Sequence, residues 1–202
     1  MTSLPVRDPA TDPLLTPQNA VLIVIDYQPV QVTSIASMDR HALVDNIVSV
    51  IKLARLFQLP IVLSTVNVAT GKNAPTIHQI RDLLPDVREY DRTQINAWED
   101  REFQAAVKAT ERKKIILTAL WTEACLTFPT LDMLREGYEV YPVVDAVGGT
   151  SVEAHRAALE RVQQAGAHLV SWVQLACELQ RDWNRVATAK DFGEILFAVE
   201  GH

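Results

Sequence analysis

The sequence is short of the devices that many functions need. Its 202 residues include two cysteines, Cys125 and Cys177, too few for a disulfide framework. The expected setting is a reducing cytoplasm. No apolar run reaches the ~18 residues of a membrane span. The opening MTSLPVRDPATDPLL lacks a basic stretch followed by an apolar core, so no secretory leader is expected. Glycine is scarce, with seven residues, and none builds a GxGxxG or a phosphate loop, which leaves nucleotide binding without support. GxSxG is missing as well, which argues against a serine hydrolase elbow. The longest basic run is Arg112-Lys113-Lys114, and 19 basic against 25 acidic residues give a net charge of −6. A nucleic-acid partner would need a basic face; neither that partner nor a membrane surface is expected. No two histidines have metal-ligand spacing, and His155 and His168 read as structural.

What is present is an ordinary globular balance, 48% hydrophobic and 22% charged, at a length that suits one domain. Residues 1–19, with prolines separated by Asp and Thr, read as an irregular arm; residues 20–202 read as the domain. Ala20 to Asp26 (AVLIVID) is a continuous aliphatic run, the mark of a strand buried on both faces. Similar runs fall at Ile61–Val66, Lys114–Leu120, Glu139–Val144 and Ala167–Ser171. Between them, Asp39–Gln58, Asp100–Thr110, Thr122–Glu136 and Ser151–Gln164 read as amphipathic helices. Residues 174–200 suggest two more, the second an apolar stretch from Asp191 to Val199. Strand alternating with helix predicts a parallel sheet covered on both sides, a three-layer α/β/α sandwich.

Ligands of such sheets bind beyond the carboxyl ends of the strands, so reactive residues there matter most. Asp26 closes the first strand. It suits a helix cap, or acid/base work by a carboxylate held on rigid backbone at the crevice. Cys125 lies five residues past Leu120, in the first turn of a helix that Thr122 can cap. It suits a small core residue, or a thiolate favoured by the helix start and nearby positive charge. Backbone N–H groups at that start suit a developing oxyanion. Pro129 cannot donate to the Cys125 carbonyl, which predicts a kinked turn after the cysteine. Arg92 stands in the loop DRTQINAWED. There it is a surface arginine, or a fixed charge that lowers the thiol pKa or holds an anionic group. Asn96 and Trp98 beside it suggest a pocket wall. Cys177, within ACELQRDW, reads as core.

The ordered set VLIVIDYQ, RTQINAWED, ALWTEACLTFPTLDMLREGYEVYPVVDAVGGTS and LVSWVQLACELQRDW resembles the isochorismatase-like hydrolases, and most of all their YcaC-related branch, from about Ala20 to Trp183. The resemblance implies an Asp–Lys–Cys triad, with Asp26 and Cys125 in the first and last places. It implies a cis peptide at Leu120–Trp121 and an oxyanion held on the N–H groups of Trp121 and Cys125. No lysine occurs between Lys72 and Lys108; Arg92 takes that place, and it is no practical proton donor at neutral pH. Nicotinamidase relatives bind metal through Asp-x-His, whereas NVATGKNAPTIH offers His78 alone, so no metal and no cofactor are expected.

The reading implied is a cysteine hydrolase that cleaves a small amide through a thioester. Tyr27, Asn96, Trp98 and Trp121 are the expected pocket, a small molecule the expected partner, and a homo-oligomer of four or more copies the expected assembly. The apolar end near Ile195, Leu196 and Phe197 suits an interface or a core helix. Two alternatives are vinyl-ether hydrolysis of the isochorismatase type and a non-catalytic oligomeric binding protein on the same fold.

Overall fold

The computed structural model describes residues 7–198. Its strands and helices alternate along the chain: β1 Ala20–Ile25, α1 Pro29–Thr33, α2 Arg40–Leu56, β2 Ile61–Val66, α3 His78–Arg81, β3 Glu89–Arg92, α4 Arg101–Ala109, β4 Lys114–Ala119, α5 Thr127–Arg135, β5 Glu139–Pro142, α6 Val152–Gln164, α7 Trp172–Gln180 and α8 Val186–Phe197. The strands form one parallel sheet in the order β3-β2-β1-β4-β5. All six residues of β1 are buried, because the two faces of a central parallel strand both meet helices. Ala20, Leu22 and Val24 join one core with α2, α7 and α8. Val21, Ile23 and Ile25 join the other with α4, α5 and α6. The chain is a three-layer α/β/α sandwich.

Side-chain caps set the helix starts. Asp39 accepts from the N–H of Ala42, Asp100 from Phe103, Ser151 from Ala154 and Ser171 from Gln174, the preferred N-cap residue types. The last helix begins at Val186, before the expected Asp191, and Val199 lies outside the described residues. Phe192 fills the core beside α2 and α7, Ile195 and Leu196 pack against it, and Phe197 stays exposed.

Two strand expectations need correction. The edge strand β3, Glu89-Tyr90-Asp91-Arg92, is polar and only partly buried, so it carries no aliphatic signal; Arg92 ends a strand and does not sit in a loop. The stretch Ala167–Ser171 forms only an isolated bridge, Val143 to Val170. It runs beside β5 until Ser171 turns it into α7 as that helix's cap.

Residues 1–6 of the arm lie outside the described residues; residues 7–19 are irregular but docked. Lys114 Nζ donates to the carbonyls of Asp12 (2.7 Å) and Leu14 (3.2 Å), Leu15 N–H donates to Glu178 Oε2 (2.7 Å), and Arg181 pairs with Asp12 at 2.9 Å. These ties close the amino ends of the strands.

Candidate active site

The strand order reverses its direction of growth between β1 and β4, and a crevice forms at the carboxyl ends of such a pair. Asp26 follows β1 there, with φ +62°, a left-handed conformation that aspartate tolerates better than most residues. Its N–H donates to Ser64 O at 3.0 Å. Asp26 is fully buried.

Arg92 comes from two strands away. Neighbouring strands lie ~4.8 Å apart, so its guanidinium must cross roughly 10 Å of sheet, over β2, to reach Asp26. Its two terminal nitrogens grip the Asp26 carboxylate side by side, Nη1 to Oδ1 at 2.7 Å and Nη2 to Oδ2 at 2.7 Å. Nη1 also donates to Ser64 Oγ (3.1 Å) and Thr65 O (2.9 Å), and Nη2 to Ile95 O (3.1 Å). Neither partner's side chain touches solvent. Burial works against the Arg92 charge, but hydrogen bonding and charge from Asp26 outweigh it and raise the arginine's pKa. Such a bidentate pair fixes orientation as well as charge.

Cys125 lies in a π-helical turn, Thr122–Leu126, that leads into α5. The irregular turn contains the cysteine, whereas the kink expected from Pro129 falls after it, where α5 is regular from Thr127. Two buried threonines brace the turn: Thr127 Oγ1 donates to Thr122 O and Thr130 Oγ1 to Leu126 O, both at 2.7 Å. π turns of this kind recur at functional sites. The thiol is nearly buried. Burial first, then the charge and hydrogen bonding of Asp26, push its pKa up; Arg92 and the backbone N–H of Trp121 act in the other direction but do not prevail. The Leu120–Trp121 peptide is cis.

Arg92 spends its charge on Asp26, and burial with the neighbouring carboxylate raises the Cys125 thiol pKa, opposite in direction to the lowering expected from a nearby positive charge. Three expected pocket residues also take structural places. Tyr27 is fully buried, and its hydroxyl donates to Ala146 O. Asn96 donates to Asp132 Oδ2 (2.8 Å) and caps the turn at Trp98, and the Trp98 indole donates to Glu136 Oε1 (2.8 Å) in the second core. Both tie the β3–α4 loop to α5. Trp121 alone of the four is half-buried at the site, with its indole N–H on Ser34 Oγ at 2.7 Å.

Several contributors carried weaker signals. Ser64 and Thr65 interrupt the aliphatic run IVLSTV, and both bind Arg92. Gln28 is fully buried and links Val66 N, Val66 O and Ala74 O (3.0, 3.1 and 2.6 Å), holding the loop after β2 against the crevice. Asp91 accepts from Val68 N, Ala69 N and Thr65 Oγ1. Among the described residues, no three His, Cys, Asp or Glu side chains gather as metal ligands, and no helix is long and apolar enough to cross a membrane.

The Isochorismatase domain family matches residues 20–174, so the chain belongs to the isochorismatase family. It is 35% identical over 170 residues to "Probable hydrolase YcaC" of Escherichia coli (strain K12), covering 84% of this chain and 81% of that protein. YcaC from Pseudomonas aeruginosa, solved with hexane-2,5-diol and covalent acrylamide, superposes with a TM-score of 0.86 at 34% identity over 92% of this chain and 91% of that one. The Escherichia coli YcaC structure, described as an octameric hydrolase of unknown specificity, gives 0.83 at 31% identity over 94% and 97%. Within this hydrolase family the chain falls in the YcaC-related branch.

Proposed function

We propose that the protein is a cysteine hydrolase that cleaves a small amide through a thioester. The observation that carries this reading is the meeting of a thiol with an ion-paired, solvent-free carboxylate at the crevice. Because burial and Asp26 raise the thiol's pKa, attack and proton transfer go together. Cys125 Sγ bonds to the amide carbon as its proton passes to Asp26. The carbonyl oxygen becomes an oxyanion on the N–H groups of Trp121 and Cys125. The tetrahedral adduct expels the amine, which takes the proton back from Asp26, and leaves a thioester. Asp26 then removes a proton from water as it attacks the thioester; the acid departs and the proton returns to the thiol. This is covalent catalysis by an activated nucleophile.

Arg92 holds its proton throughout and acts by fixing the carboxylate. Asp26 is therefore the only proton carrier, in contrast to a triad with lysine. A half-buried Trp121 suits a small or flat substrate. The octameric state of the Escherichia coli relative supports a homo-oligomer here, and the covalent acrylamide on the Pseudomonas aeruginosa relative makes small amides the first compounds to try.

The test is turnover of a panel of small aliphatic and aromatic primary amides by wild type, Cys125→Ala and Asp26→Asn. Loss of hydrolysis in both variants is expected, with an acyl adduct on Cys125 in quenched wild type. Amide hydrolysis that survives in Cys125→Ala overturns the thioester; no amide turnover by wild type, with turnover of a vinyl ether that Cys125→Ala keeps and Asp26→Asn loses, points instead to vinyl-ether chemistry, which needs no cysteine.

A further inference from the structure

The turn that carries Cys125 is held from outside its own helix. Thr122, fully buried, opens the turn. Its N–H donates to Gly148 O at 2.9 Å, and its hydroxyl meets His155 Nδ1, on α6, at 2.8 Å. Glu123 Oε1 accepts both the N–H and the hydroxyl of Thr150, at 3.0 and 2.6 Å. The loop between comes this close because it carries glycine. A Cβ on Gly149 would stand 2.7 Å from Glu123 Oε2 and 3.1 Å from the His155 backbone nitrogen; one on Gly148 would stand 2.9 Å from Ile35 Cγ2. Gly149 also donates to Ser37 Oγ (2.9 Å) and accepts from Ala36 N–H (3.1 Å). The nucleophile turn, the start of α6 and the loop that receives the Trp121 indole are thus one assembly.

A π turn interrupts the regular α-helical ladder, and Pro129 removes a further donor. Its shape depends on side-chain ties. The Thr122–His155 contact is one such tie from a different element, and burial lowers the His155 pKa against the pull of Glu123.

We propose that His155 is a positioning residue for the nucleophile: through its hydrogen bond to Thr122 it fixes the turn so that Cys125 stays against Asp26 and the Trp121 N–H. This rests on the reading of Cys125 as the nucleophile. A displacement near 1 Å at a reacting atom can cost ~100-fold in rate, so one buried hydrogen bond suffices to matter.

The test uses the whole chain and acrylamide, with labelling at Cys125 followed by peptide mass and the exposed Cys177 as internal reference. The variants are Thr122→Val, His155→Leu, the double variant, and His155→Asn, whose amide keeps a hydrogen-bonding group near the Nδ1 position. Each single apolar variant is expected to slow Cys125 labelling by up to ~100-fold while Cys177 labels as before. The double variant is expected to be no slower than the worse single one, and His155→Asn to recover most of the rate. Unchanged labelling in His155→Leu, or losses that multiply in the double variant, overturns the inference. If wild-type Cys125 takes no label, the nucleophile reading fails instead. Amide hydrogen exchange over residues 120–127 then decides the role of His155: faster exchange in His155→Leu, restored in His155→Asn, supports the tie, and unchanged exchange overturns it.

Discussion

Arg92→Met is the substitution whose consequences the structure defines most sharply. It leaves the Asp26 carboxylate without its bidentate partner in a place that solvent does not reach. Breaking a buried ion pair from one side costs about 3–5 kcal/mol, because the remaining charge stays desolvated. Against a typical total of about 5–15 kcal/mol, that is a large share. At about 2–4 °C per kcal/mol for a domain of this size, the melting temperature should fall by about 6–20 °C. Urea unfolding gives the free energy directly, provided the slope is unchanged. Asp26→Asn combined with Arg92→Met removes both charges and keeps a residue that tolerates the left-handed backbone at position 26. That double variant should recover more than half of the loss. A loss below about 1 kcal/mol in Arg92→Met, well under the cost of an abandoned buried charge, refutes the reasoning, as does a double variant no more stable than the single one.

Two further predictions concern regions beyond this pair. Glu178→Ala strands the buried Leu15 N–H and should cost about 1–3 kcal/mol in urea unfolding; an unchanged midpoint would show that the arm is not held there. His155, lowered by burial from the ordinary 6.5, binds fewer protons folded than unfolded just below pH 6.5. Stability from this group is therefore present above pH 6.5 and declines as pH falls toward the folded value. Thermal melts should drop between pH 7 and 5 in wild type and drop less in His155→Asn; parallel curves would contradict the shift.

The legible parts of the fold were those written in local pattern. The aliphatic runs of β1, β2 and β4 and the capped helices at Asp39, Asp100 and Ser151 are local signals. The positions of Asp26 and Cys125 were legible because each follows a buried strand; the irregular turn was not, since it precedes Pro129. β3 was illegible because an edge strand with partly wet sides needs no apolar run. The partner of Arg92 was illegible for a different reason. Only the strand order places β3 two positions from β1, and so turns a charge expected to face the thiol into a clamp on Asp26. The hydrogen bonds that bury Tyr27, Asn96 and Trp98 were illegible because their partners, Ala146, Asp132 and Glu136, lie far along the chain. Aromatic residues near a reactive one in sequence need not face it.

If Asp26 makes the buried Cys125 thiol nucleophilic, acrylamide labelling at pH 7 must differ between wild type and Asp26→Asn. Burial is the largest cause of the raised Cys125 pKa, so reaction of the thiol is expected to need a base beside it. The account predicts an adduct on Cys125 in wild type that forms about 100-fold or more slowly in Asp26→Asn, the range of general-base assistance, with equal labelling of the exposed Cys177 in both. A wild-type protein labelled at Cys177 but not at Cys125, or a Cys125 that reacts as fast without the carboxylate, would contradict it.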